Sequence, residues 1–279
     1  MNSSSGRAGD GRQPILFVGA GPGDPELITL RGARALAEAD IVVFAGSLVH
    51  RALLGHCHES AVIHDSAGLD LPAIIDILSR GYEEGLKVVR LHTGDPALYG
   101  AIAEQMEELD ERAIPYAIVP GVSSFAASAA ALQVELTLPE VSQTVILTRR
   151  AGRTPVPEGQ DLASLAAHRA TLCIFLSVGQ LDRVVADLRF HYPARTPAAV
   201  VANASWPEQR IVRGTLEDIA AKVDEAGIEK TAMIVVGDVL LPKGTRSKLY
   251  DPTFSHGYRL VSGEANAGGA TGDPGGGAG

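Results

Sequence analysis

The chain is poor in long apolar runs, in cysteine and in positive charge. No run of about 18 apolar residues occurs, so no membrane-spanning helix and no membrane partner is expected. The polar opening MNSSSGRAGDGRQP lacks the apolar stretch that a secretory signal needs. Only two cysteines occur among 279 residues, Cys57 and Cys173. Their wide separation excludes a small disulfide scaffold, and the expectation is a cytoplasmic protein with free thiols. Lys and Arg number 24 against 33 Asp and Glu, a formal net charge of −9. Nucleic acid is therefore not an expected partner, because cationic contacts to phosphate supply most of that affinity. An anionic small molecule would need a local cluster of arginines. There is no internal repeat, no GxSxG and no Ser-His-Asp order.

Apolar residues are plentiful, at 46% against 20% charged. That is core material for two ordinary domains or one large one. Short apolar runs at 15–18, 41–45, 61–63, 87–92 and 116–119 read as strands. Amphipathic stretches near 29–39, 47–54, 72–84 and 100–112 read as helices. In 72–84, Ile74, Ile75, Leu78 and Tyr82 form one apolar stripe. Strands alternating with helices predict a mainly parallel sheet covered on both faces. Pro120-Gly121 closes this block, and VSSFAASAAALQ reads as a helix of small residues. A second block has strands near 144–147, 172–176, 198–202, 209–213 and 232–236, with helices near 162–168, 180–190 and 216–226. No helix separates the strands at 198 and 209, which predicts an antiparallel pair and a mixed sheet. The expectation is an α/β fold of two α/β domains, 14–120 and 121–260. A loose tail at 1–13 and a Gly-rich tail at 261–279, with no apolar content to fold, flank them.

The stretch ILFVGAGPGDPELIT runs from a strand through a Gly-rich turn into a helix, as a dinucleotide-binding unit does. The fingerprint wants glycine at its first, third and sixth positions. Here these are Gly19, Gly21 and Asp24, with Gly23 just before. A carboxylate at the sixth position would face a pyrophosphate at a helix N-terminus and repel it. The loop reads more simply as a tight turn stiffened by Pro22 and Pro25. HTGDPALYG also follows a strand, at the sheet edge where such folds bind ligands. Asp95 reads either as an acceptor for a ligand or as a helix cap. VPGVSSFAA repeats the pattern, with Ser123 and Ser124 as caps or ligand contacts. His50, His56, Cys57, His58 and His64 are clustered in sequence. Neighbours on an extended segment point apart, so no metal site is expected there. TRRAGRTPVPE is the most basic stretch, and its arginines suit carboxylates.

Together these stretches resemble the tetrapyrrole (corrin/porphyrin) methyltransferase family. VGAGPGDPELITLRGARAL, HTGDPALYG and VPGVSSFAA match its N-terminal signatures. CIFLS, ANASWPEQRIVRGTL and AMIVVGDV match its C-terminal ones, so the likeness covers residues 14–260. HTGDPALYGAIAEQM, LTLPEVSQTVILTRRAGRTPVPE and LYDPTFSHGYR look like the branch that methylates ring carbon 11 of precorrin-4 in cobalamin biosynthesis. The resemblance implies S-adenosyl-L-methionine (SAM) folded in a cleft between the two domains, leaving as S-adenosyl-L-homocysteine (SAH). Its contacts would be Pro22, Thr93, Gly94, Asp95, Leu98, Ser123, Ser124, Leu176, Ala204 and Ala232. The anionic tetrapyrrole would meet Asp24, Tyr99, Arg149 and Arg153, the two arginines holding carboxylates. A homodimer is implied as well. Two positions depart from relatives. Ala101 stands where uroporphyrinogen methyltransferases carry a substrate-binding Arg, which counts against that activity. Gly46 stands where many enzymes of the branch carry Asp.

Methyl transfer from a sulfonium is an in-line displacement on an activated donor, so the protein mainly aligns the reactants and excludes water. Building a quaternary ring carbon does not compel a general base, and Asp24 and Glu104 are the candidates for tuning the substrate. The alternatives are a methyltransferase of the same fold acting at another ring carbon, a nucleotide-binding oxidoreductase, and a tetrapyrrole-binding module without turnover.

Overall fold

The structure is a computed structural model and describes residues 11–46, 48–152 and 154–241. The first lobe contains β1 (Ile15–Gly19), α1 (Leu30–Glu38), β2 (Ile41–Phe44), β3 (Val62–Asp65), α2 (Leu71–Glu83), β4 (Val88–His92), α3 (Ala103–Glu111) and β5 (Tyr116–Val119). The sheet order is β3-β2-β4-β1-β5, and every neighbouring pair is parallel. Adjacent residues of β1 feed opposite faces, as the two-residue period of a strand requires. Phe17 packs with Ile75 and Leu78 of α2 and Leu109 of α3. Val18 packs with Leu36 of α1 on the other face. Of the stripe in α2, Ile74, Ile75 and Leu78 are buried and Tyr82 is half-buried. Asp70 caps that helix by accepting the Ala73 N–H at 3.0 Å.

Two local expectations are corrected. The stretch 47–54 is not an α-helix; a 3-10 turn runs over Arg51–His56. Val49 and Leu53 still pack with Leu36 of α1. The helix expected from 100 starts at Ala103, because Tyr99 and Ala101 hold φ of 56° and 50°, left-handed values that no α-helix contains.

The second lobe contains α4 (Ser124–Leu132), β6 (Val145–Arg149), α5 (Leu162–Ala166), β7 (Thr171–Phe175), α6 (Leu181–Leu188), β8 (Pro197–Ala202), β9 (Arg210–Thr215), α7 (Ile219–Glu225) and β10 (Ala232–Val236). The order is β6-β7-β10-β8-β9. β6 runs parallel to β7, and the remaining pairs are antiparallel, β8 with β9 among them. One face carries α5, α6 and α7 on Leu172, Ile174 and Val200. The other receives Ala127 and Leu132 of α4 against Cys173 and Val201. No helix among the described residues is long and apolar enough to cross a membrane.

Candidate functional site

Three loops leave the C-terminal ends of β1, β4 and β5 side by side, where a parallel sheet presents its ligand crevice. They are bound backbone to backbone. Ala20 N–H donates to His92 O at 2.7 Å, and Gly94 N–H to Gly21 O at 2.8 Å. Glycine is required at the contact: a Cβ on Gly19 would stand 2.5 Å from Gly121 Cα, and one on Gly121 would overlap the Gly94 carbonyl oxygen. Asp95 ties the second loop to the third. Its Oδ1 accepts the Ala97 N–H at 2.8 Å, and its Oδ2 accepts the Gly121 N–H at 2.9 Å. The carboxylate therefore caps the turn that follows it and fastens the neighbouring loop.

The second lobe faces these loops with the ends of β7 and β8 and the start of β10. Between the lobes lies a cleft of about 670 Å³, within the range of small-molecule sites. Pro22, Thr93, Gly94, Asp95, Leu98, Ser123 and Ser124 line it from one side, and Leu176, Ala204 and Ala232 from the other. All ten residues expected at a cofactor thus meet in one place. Tyr99 lines it too, with its ring 5.0 Å from that of Phe175 across the cleft.

Asp24, Glu104 and Arg149 do not line it. The Asp24 carboxylate accepts the Glu26 N–H at 2.9 Å and caps a short turn. Glu104 is exposed in the first turn of α3. Arg149 braces its own basic loop, donating from Nη1 to Thr154 O at 3.0 Å and from Nη2 to Pro155 O at 2.9 Å. Arg150 is held by Asp187 at 2.7 Å and Gln180 at 3.0 Å. Arg153 and the stretch LYDPTFSHGYR lie outside the described residues. The space a side chain at Gly46 would take is filled by the Asp65 carboxylate, which accepts the Gly46 N–H at 3.1 Å. The histidines near 50–64 do not converge: His50 lies edge-on to Trp206, and His58 bonds Ser60 at 2.7 Å.

Sequence reasoning missed a second set of lining residues: Leu48, Ser128, Phe175, Asn203, Lys230 and Thr231. For Asn203 and Thr231 the signal is conformational, and they share it with the expected Tyr99 and Leu176. Tyr99, Leu176, Asn203 and Thr231 all line the cleft with φ of 56°, 52°, 49° and 52°, and strain of this kind gathers at functional sites. Leu176 shows the result, an apolar side chain left 71% exposed at the end of a buried strand. Ser177 holds that turn by donating to Phe175 O at 2.7 Å and accepting the Arg150 N–H at 2.9 Å.

The cleft is furnished for binding and offers no histidine or cysteine among the residues that line it. Burial raises the Tyr99 phenol above its ordinary pKa, partly offset by Arg149. Behind the cleft His92 stacks on Phe17 with ring centres 5.9 Å apart. Burial, helped by the Arg90 charge, lowers its pKa to about 3, so it is neutral at physiological pH. No group of His, Cys, Asp and Glu among the described residues is arranged to hold a metal.

The family described as Tetrapyrrole (Corrin/Porphyrin) Methylases matches residues 14–220. The Precorrin-4 C(11)-methyltransferase of Pseudomonas aeruginosa is 51% identical over 246 residues, 88% of this chain and 98% of that protein. The X-ray structure of a cobalamin biosynthetic enzyme, cobalt precorrin-4 methyltransferase, is similar at a TM-score of 0.80 and 44% identity, over 82% of this chain and 96% of the other. Uroporphyrin-III C-methyl transferase from Thermus thermophilus, complexed with S-adenosyl homocysteine, matches at a TM-score of 0.69 and 30% identity, over 82% of this chain and 99% of the other. With two α/β lobes, a cleft between them and these likenesses over most of its length, the chain belongs to the tetrapyrrole (corrin/porphyrin) methylase family.

Proposed function

We propose that the chain is a SAM-dependent C-methyltransferase that methylates ring carbon 11 of precorrin-4, with or without cobalt, in cobalamin biosynthesis. The observation that carries this is the meeting of ten residues, drawn from both lobes, on one cleft. Relatives named Precorrin-4 C(11)-methyltransferase and Cobalt-precorrin-4 C(11)-methyltransferase support the ring position. The complex of a relative with S-adenosyl homocysteine supports the donor.

The residues present fit that donor. Gly94 has φ of 60°, which keeps its loop tight and its backbone open to a ligand. Leu48, Tyr99 and Leu176 line the cleft with 41%, 44% and 71% of their surface exposed, apolar faces for flat rings. When bound, SAM supplies a methyl group already activated by the positive sulfur. The chain's own residues then orient the reactants and exclude water. The cleft needs no proton-transfer residue for that work.

Arg149 and Arg153 are proposed to hold substrate carboxylates. Both Nη atoms of Arg149 brace the loop that would present it. Asp24, Tyr99 and Glu104 complete the proposed substrate side, with Asp24 and Glu104 tuning the substrate. The same reading makes the enzyme a cytoplasmic homodimer, in keeping with the family resemblance and the free thiols of Cys57 and Cys173. The test is incubation of the purified protein with methyl-labelled SAM and precorrin-4, in cobalt-free and cobalt-loaded arms. One labelled methyl at C11, located by NMR, is the expected product. Label at another carbon, or no transfer in either arm, overturns the assignment.

A further inference from the structure

We propose that Trp206 is a latch between the two walls of the cleft, a positioning residue that acts through Pro22 and sets how tightly the donor is held. The inference rests on the reading of the cleft as a SAM site. Trp206 lies in the loop between β8 and β9, just after Asn203 and Ala204, which line the cleft from the second lobe. Its indole crosses to the first lobe. Nε1 donates to the carbonyl of Pro22 at 2.8 Å, and Pro22 lines the opposite wall. The indole covers Gly23 so closely that a Cβ there would overlap Cδ1 and Nε1. The His50 ring closes against it at 4.8 Å and 81°. One residue earlier, Ser205 Oγ accepts the Asp24 N–H at 3.0 Å.

Two features separate this contact from ordinary packing. Trp206 belongs to none of the four hydrophobic cores and is only half-buried. The backbone that aims it is strained, with φ of 49° at Asn203 and 69° at Ser205. Strain of this kind persists where the surrounding structure over-determines it, often at a functional site. Both walls thus end in the same contact, and any motion that parts them breaks the Nε1–Pro22 bond. Gly23, which the phosphate fingerprint leaves unexplained, is small because the indole sits on it.

The test uses the full chain, with SAH affinity from calorimetry and SAM kinetics. Trp206 is the single tryptophan, so emission excited selectively from tryptophan comes from this residue alone. Trp206→Phe keeps a ring over Gly23 and removes the N–H. Gly23→Ala drives the indole away. Wild-type emission is expected to change on SAH binding and to saturate with the calorimetric Kd. Trp206→Phe is expected to bind SAH about three- to tenfold more weakly, the loss of one hydrogen bond. Its KM for SAM should rise by the same factor, with kcat changed less. Wild-type affinity and KM in Trp206→Phe would overturn the latch and leave the donor reading standing. Failure of the wild-type protein to bind SAH would overturn both. Should Gly23→Ala not fold, the Phe variant decides.

Discussion

His92 shows how much of a residue's role depends on its surroundings. In the sequence it is the first residue of HTGDPALYG, at the end of an apolar run. In the structure it is 4% exposed, stacked on Phe17, with Nε2 lacking a partner among the described residues. Burial and then Arg90 lower its pKa to about 3, while an unfolded histidine titrates near 6.5. Between those values the unfolded chain takes up a proton that the folded chain refuses. Stability therefore falls as pH drops from about 6.5 toward 3, by up to about 1.4 kcal/mol per pH unit. His92→Phe keeps an aromatic ring on Phe17 and removes the titration. Urea denaturation at a series of pH values should show its acid slope reduced by about one proton relative to wild type; an unchanged slope would show that the histidine is not held neutral. Asp95 was legible as either a cap or a ligand contact, and the structure uses its carboxylate for backbone N–H groups while keeping it in the cleft wall. Trp206 was legible only as one letter of a signature, because its partner Pro22 lies 184 positions away.

At the scale of elements, the ten strands among the described residues were legible, since apolar runs bounded by turn residues mark strands well. The failures were local. The stretch expected as a helix near 47–54 packs Val49 and Leu53 through a 3-10 turn instead, and the start of α3 is displaced by strained residues that no propensity foretells. The three loops over β1, β4 and β5 carry the site because Gly19 and Gly121 let them touch. This makes Gly121→Ala a severe change. Its Cβ would overlap the Gly94 carbonyl, a backbone atom that cannot rotate away, and overpacking of this kind costs about 1–3 kcal/mol. The loops should part and SAH affinity should fall at least about tenfold, the equivalent of about 1.4 kcal/mol. Gly55→Ala is the matched control, because a Cβ there meets nothing within 4 Å. Chemical denaturation and calorimetry on both variants check this, and equal behaviour of the two would show that the loops yield to a methyl group.

At the scale of the molecule, the two-lobed α/β plan and its mixed second sheet could be read from the order of strands and helices. The fit of one lobe to the other could not, because it depends on contacts such as Asp24 with Ser205, 181 positions apart. That fit has a thermodynamic consequence. A ligand held by both walls binds only when both lobes are folded and docked, so it stabilises the whole molecule. SAH at a hundred times its Kd should add about 2.7 kcal/mol, a rise of roughly 5–10 °C in Tm for a protein of this size. NAD should give no such rise. The indole of Trp206 covers Gly23, and the Asp24 carboxylate stands where a pyrophosphate would approach, already engaged with the Glu26 N–H. Calorimetric scans with each ligand separate a methyl donor from a dinucleotide. A shift with NAD and none with SAH would return the GPGDP loop to phosphate binding, since the same cleft cannot keep Trp206 seated on Gly23 and admit a pyrophosphate over it.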